Sequence, residues 1–224
     1  MTILHREDRD AIATLTMDAP ARLNALSDEM LALLQDELDD LAQDKHTRAV
    51  ILRGTGKAFC AGHDLKQMQA ERQSADAGAA YFKDLFDRCA TMMQSIQALP
   101  QPVIAQVHGI ATAAGCQLVA TCDLAIAADE TRFGVNGVNI GLFCSTPMVA
   151  LTRNIPRKAA FEMLTTGRFI NTREAQEMGL INRAVAAEDL DGLFRAVHRV
   201  ARGHELGHGA ILGVTRAAVL DHRG

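Results

Sequence analysis

The chain has 224 residues, 48% of them hydrophobic and 22% charged, with a formal net charge of −4. These values suit a globular protein with a real core; they exclude global disorder, a coiled coil and the basic footprint that nucleic acid or an anionic membrane surface requires. The longest apolar stretch, Ile110 to Ala128, is interrupted by Gly115, Gln117 and Asp123, so no bilayer span is expected. The N-terminus turns charged at Arg6-Glu7-Asp8, too early for a signal peptide, and the five cysteines form no Cys-x-x-Cys pair. A soluble cytoplasmic protein with reduced thiols is the expectation.

Ile3-Leu4 and Ala11 to Thr16 read as strands around a polar turn, Glu7 to Asp10. Ser27 to Asp44 reads as a helix: Ser27 caps it, Asp28 and Glu29 suit its positive end, and Met30, Leu34, Leu38 and Leu41 form one apolar stripe. Ala49-Val50-Ile51-Leu52 has the all-apolar run of a strand buried on both faces, and a glycine-bearing loop, Gly54 to Gly62, follows it. Helical spacing resumes from Ala79 to Leu99 and stops at Pro100. Val103 to Val107 is a strand ended by Gly109, Ala113 to Thr121 a helix, and Leu124 to Ala127 a strand. Asn171 with Glu174 forms a capping box for a short helix that Gly179 ends. This alternation implies an α/β fold with a layered, partly parallel sheet.

Familiar nucleotide and hydrolase signatures are absent. Gly54-Thr55-Gly56-Lys57 lacks the glycine of a phosphate-binding loop, because Ile51 stands in its place; no third glycine completes a dinucleotide fingerprint, and no Gly-x-Ser-x-Gly occurs. His204-Glu205-Leu206-Gly207-His208 matches the zinc-protease pattern, which needs both histidines on one helix face. Gly203, Gly207, Gly209 and Gly213 oppose a helix there, and only Asp221 or His222 lies close for a third ligand. A loose polar tail with chance histidines is the better reading, and no metal site is expected.

Two segments remain: Lys57 to Lys66, and His108 to Leu118. Each sets small residues where a strand hands over to a helix, where main-chain N–H groups are free and the helix end favours negative charge. Small side chains admit a ligand to the backbone, so two such loops on adjacent strands could aim two donors at one oxygen. Tight turns of small residues also arise from packing alone.

The sequence resembles the crotonase superfamily, the enoyl-CoA hydratase/isomerase group, from Ile3 to about Ala201, and is most similar to its enoyl-CoA hydratase domain-containing proteins. The matching motifs are Arg22-Leu23-Asn24-Ala25-Leu26, Ala58 to Lys66, His108 to Asp123, Gly141 to Pro147, Thr166-Gly167, and Ala175-x-x-x-Gly179-Leu180-Ile181-Asn182. The resemblance implies a crotonase-like (ClpP/crotonase) spiral of ββα units over residues 1–201, assembled as a homo-oligomer, a trimer or hexamer. It implies an acyl-CoA thioester as substrate or ligand with no other cofactor, and lyase or isomerase chemistry of fatty acid metabolism. The family's oxyanion donors map onto the N–H groups of His63 and Ala114. The Ala61 carbonyl would meet adenine, Lys66 would sit near the CoA phosphates, and Asn24 and Ala25 lie in the segment lining the nucleotide. Arg22, Gly62, Asp64, Leu65, Ala113 and Gly141 complete the implied substrate site.

The pattern breaks where the family's hydratases carry two glutamates. One position is Gln117, three residues after the second donor; the other, after Phe133-Gly134, is Gly137. Neither residue titrates near neutral pH, so hydration is expected to be weak, or the chain to be a non-catalytic acyl-CoA-binding or structural member. Asp64, Cys116, Asn136, Asn139 and Cys144 are nearby substitutes in sequence, with a helix-capping role preferred for Asp64 and a buried apolar role for the two cysteines. The His63 imidazole could also give a proton to substrate. A shortened C-terminal helical region and an atypical Gly/His-rich tail, 202–224, are the second departure.

Overall fold

The chain opens on a hairpin that turns at Asp10 and Ala11, whose φ angles of 51° and 61° match the two-residue turn that follows strand twist. The structure, a computed structural model, describes residues 2–192. Strands β1 (Leu4–Arg9) and β2 (Ile12–Met17) flank that turn. The first strand therefore runs through the charged stretch expected to form the turn. It can do so because β1 is an edge strand whose outer residues face water, where charge is tolerated and blocks further pairing.

Helix α1 (Asp28–Gln43) begins as the sequence requires: the Ser27 hydroxyl accepts a hydrogen bond from the Met30 N–H at 3.2 Å. Its buried face carries Met30, Leu31, Leu34, Leu38 and Leu41. Strand β3 (Ala49–Gly54) follows, then α2 (Leu65–Glu71), α3 (Ala79–Ala98) and β4 (Val103–Val107). Next come β5 (Ile110–Thr112), α4 (Ala114–Thr121), β6 (Leu124–Ala128) and β7 (Arg132–Gly134). A 3₁₀ turn (Asn136–Ile140) leads to α5 (Ser145–Asn154), α6 (Arg157–Thr166), β8 (Phe169–Asn171), α7 (Thr172–Met178) and β9 (Arg183–Val185). The capping box of α7 is present on Asn171 and Glu174. The helix expected after Asp64 is α2, whereas α5, α6 and the three-residue strands, ordered by contacts distant in sequence, are not marked by the sequence pattern.

The strands form two sheets. The larger has the order β1-β2-β3-β4-β6-β9, parallel apart from β1, and the smaller has the order β5-β7-β8. The chain passes from a large-sheet strand to a small-sheet strand and then to a helix, most plainly in β4-β5-α4. Two isolated parallel bridges, Leu26 with His63 and Cys60 with Ala111, extend the small sheet across the preceding turns of this spiral. The expected α/β spiral of ββα units is thus present. The Gly/His-rich tail, its zinc-like motif and the shortened C-terminal region lie outside the described residues.

Side chains of α1 and α3 join the inner face of the large sheet in the main core, while Ile12, Ala49, Ile51 and Ile104 pack on the opposite face. At the join between sheets the packing leaves no room for a side chain. A Cβ on Gly115 would lie 2.1 Å from the Cys60 carbonyl oxygen, and one on Gly109 equally close to that of Lys57. Gly115→Ala is therefore expected to destabilise the fold by about 3 kcal/mol or more, because backbone must move to relieve the overlap. Gly141→Ala meets nothing within 4 Å and carries only the strain of its φ of 74°; a loss of about 1–2 kcal/mol is expected. Urea denaturation of the two variants measures the difference.

Candidate functional site

Both loops singled out in the sequence leave the small-sheet layer side by side. Phe59 N–H donates to the His108 carbonyl at 3.1 Å, Cys60 N–H to Ile110 at 3.2 Å, and Thr112 N–H to Cys60 at 3.0 Å. Cys60 and Ala111 are parallel partners, which brings the two loops alongside one another. His63 and Ala114 each stand three positions further on. Gly62, at φ 92°, packs against the other loop, where a Cβ would come within 3.3 Å of the Ala114 nitrogen. Ala113 adopts φ 50° and ψ −121°, a strained conformation for a residue with a Cβ, and its N–H is committed to the Gly134 carbonyl at 2.9 Å. Among the described residues, neither the His63 nor the Ala114 N–H donates to a protein oxygen. Ala114 opens α4, where such a donor is free by construction.

Asn24 fixes the first loop from beneath. Its amide nitrogen donates to the carbonyls of Thr55 and Ala58, both at 2.8 Å, and its oxygen accepts from the Ala19 N–H at 2.9 Å. It is fully buried, as is its neighbour Ala25 nearly so. The Asn24 side chain is thus spent inside the protein, where it positions the loop. Ala61 N–H donates to the Leu23 carbonyl at 3.0 Å. Asp64 takes the capping role, accepting from the Lys66 and Gln67 N–H groups and pairing with the exposed Arg22 guanidinium at 3.2 Å. Leu65 and Lys66 are exposed on α2, and Gly141 is exposed beyond the 3₁₀ turn.

Gln117 lies one turn into α4, buried, with its side-chain oxygen reaching no donor. It lines a cavity of about 450 Å³ between α3, α4 and α5, with Ala90 and Met93 of α3 and Val149 and Ala150 of α5 among its walls. Gly137 is enclosed: a Cβ there would stand 2.7 Å from the Leu142 carbonyl oxygen and 2.8 Å from the Cys144 sulfur. The thiols near it are inert. Burial pushes Cys116 up to about 12 and raises Cys144, so both stay protonated and act as small apolar groups. Asn136 accepts a hydrogen bond from the Thr112 hydroxyl at 2.6 Å, and Asn139 is exposed. No cluster of His, Cys, Asp or Glu among the described residues could hold a metal.

The His63 ring packs edge-on against Phe86 of α3, with centroids 5.6 Å apart. Both ring nitrogens are shielded from solvent and reach no hydrogen-bond partner. Burial pushes the imidazole below its ordinary value, against the opposing pull of the Leu26 main chain and the Asp28 carboxylate. Asp28 is itself engaged with Arg88 at 2.6 Å and faces the Tyr81 hydroxyl at 3.3 Å. No spacing or motif in the sequence points to this surround. Phe86, Ala90, Met93 and Gln97 do share a helical face, but which loop meets that face is not encoded in its spacing.

The comparisons with known proteins follow the same lines. A family model described as enoyl-CoA hydratase/isomerase matches residues 7–206. The chain belongs to the enoyl-CoA hydratase/isomerase family. It is 45% identical over 190 residues to enoyl-CoA hydratase domain-containing protein 3, mitochondrial, of Xenopus laevis, an alignment covering 85% of this chain and 62% of that one. It is 44% identical over 181 residues to the human protein of the same name, covering 81% and 58%. This family member thus spans about three fifths of the length of those relatives. Among solved structures, an enoyl-CoA hydratase of Mycobacterium smegmatis is 53% identical with a TM-score of 0.85, covering 90% of this chain and 77% of that one. Human enoyl-CoA hydratase domain-containing protein 3 is 40% identical with a TM-score of 0.83, covering 89% and 77%. No described helix is long and apolar enough to cross a membrane.

The histidine fixes a pH dependence for this family member. With its folded-state value below the ordinary 6.5, His63 stays neutral in the fold while the unfolded chain takes up a proton. Stability is expected to fall as pH drops from about 6.5 to the lowered value and to gain no further slope from this group below it. Thermal melts across that window should show a shallower slope for His63→Gln than for the parent.

Proposed function

We propose that the chain binds acyl-CoA thioesters and polarises the thioester carbonyl between the His63 and Ala114 amides. The observation that carries this reading is the pair of unpaired N–H groups at matched positions beyond the Cys60–Ala111 bridge. Such donors are pre-aimed and need no reorganisation as negative charge develops on the oxygen, and each is worth about 2.7–4 kcal/mol in comparable sites. The acyl group would run from there past Gln117 into the cavity between α3, α4 and α5. The carbonyl of Ala61 and the side chains of Arg22 and Lys66 would meet the CoA moiety at the exposed mouth, with the CoA ester as the one small-molecule requirement.

Weak hydratase activity follows from the two positions where the resemblance places glutamates. Gln117 offers no titrating group, and Gly137 offers no side chain. A non-catalytic acyl-CoA-binding role is the second reading, favoured by the enclosure of Gly137, which leaves no space for a replacement acid. Exposed Ile140, Phe143 and Phe161 favour burial against further copies of the chain, a trimer or hexamer by resemblance. The five free cysteines accord with a reducing compartment such as the cytoplasm.

Titration calorimetry with crotonyl-CoA should show binding, with hydration about 100-fold or more below that of a glutamate-bearing relative. Absence of binding, or turnover equal to that relative, refutes the proposal. Gln117→Glu, an isosteric change, is expected to raise hydration about 10-fold or more. Gly137→Glu should not, because its Cβ overlaps the Leu142 main chain; its signature would be a lowered melting temperature.

A further inference from the structure

We infer that the His63 imidazole is the base that takes the α-proton of a CoA thioester whose carbonyl is held by the His63 and Ala114 amides. The inference rests on the thioester-binding reading and adds to it a proton acceptor that neither missing glutamate supplies.

Three observations converge on this ring. It belongs to the same residue as one amide, so bond lengths alone keep its nitrogens within about 6 Å of that N–H. A carbonyl oxygen accepting that amide bond at about 2.9 Å keeps its α-carbon in the neighbourhood of the ring. Second, both ring nitrogens are buried without a partner, whereas buried polar groups are ordinarily satisfied. The ring has to turn away from its packing beside Leu26 and Phe86 to present a nitrogen to substrate. Third, the ring is held at its edge by Phe86, on the α3 face that continues through Ala90 and Met93 to the cavity beside Gln117. The ring therefore stands at the head of the path proposed for the acyl group.

The other titratable groups near the site are committed. Asp64 caps α2 and pairs with Arg22, Asp28 pairs with Arg88, and Cys116 and Cys144 are desolvated thiols. In the step itself, the α-carbon's C–H bond breaks and its proton joins a neutral ring nitrogen, giving imidazolium. The electron pair moves into the carbon–carbon bond and the carbonyl oxygen becomes an enolate oxygen facing the two amides. The imidazolium proton exchanges with solvent, and return of a solvent proton from the same nitrogen to carbon closes the cycle, so atoms and charge balance with water as the only co-reactant.

The test is exchange of the α-hydrogens of butyryl-CoA in deuterium oxide, followed by NMR, beside calorimetric binding of the same ester. The parent chain is expected to catalyse exchange. His63→Gln and His63→Ala keep the backbone amide, and both should bind butyryl-CoA within about 3-fold of the parent while losing about 100-fold or more of the exchange rate. Undiminished exchange in both variants overturns the inference and places the base elsewhere. Binding by the parent without exchange overturns it while leaving the thioester site intact, and loss of binding with exchange in both variants assigns the ring a packing role instead. A parent that does not bind butyryl-CoA removes the thioester reading and this inference together.

Discussion

Parallel pairing of Cys60 with Ala111 is the constraint on which the site depends. It joins the loop at Cys60 to strand β5 and brings the two loops side by side. The glycines around it show how close the approach is. Gly109 and Gly115 each abut a carbonyl oxygen of the opposing loop so tightly that a methyl group cannot be inserted. Asn24 adds a second restraint from below, tying the turn at Thr55 and Ala58 to the Ala19 segment through three hydrogen bonds in a buried position. The strain at Ala113 is borne by this same scaffold: its N–H is held by Gly134, and its conformation turns the next amide outward at the start of α4.

Much of this scaffold is legible in the sequence because it rests on local rules. The apolar stripe of α1, the buried run of β3, the strand Val103 to Val107 and the capping box at Asn171 each follow from spacing or from one side chain satisfying a nearby backbone group. The edge strand β1 was legible only in part, since its charges imitate a turn and only its place at the margin of the sheet makes them tolerable. The short strands and the helices between Ser145 and Thr166 escaped because they are ordered by contacts distant in sequence. The glycines could be counted but not interpreted until the opposing carbonyls were in place.

The site divides the same way. That two small-residue loops matter is readable from composition and turn chemistry; that Asn24 is an internal strut and Asp64 a helix cap emerges only from their hydrogen-bond partners. The surroundings of His63 are long-range throughout, because Phe86, Asp28 and Leu26 come from three other segments. The division also sets main chain apart from side chain. The His63 and Ala114 N–H groups belong to the backbone, so a change of side chain at position 63 leaves both in place.

Gly137 shows the same dependence on opposing main chain. Its α-carbon is walled in by the Leu142 carbonyl and the Cys144 sulfur, and the Leu142 N–H donates back to the Gly137 carbonyl at 2.9 Å. A side chain can enter at position 137 only if the turn running on to Cys144 swings away, so that turn acts as a plug whose fit decides which residue the position accepts.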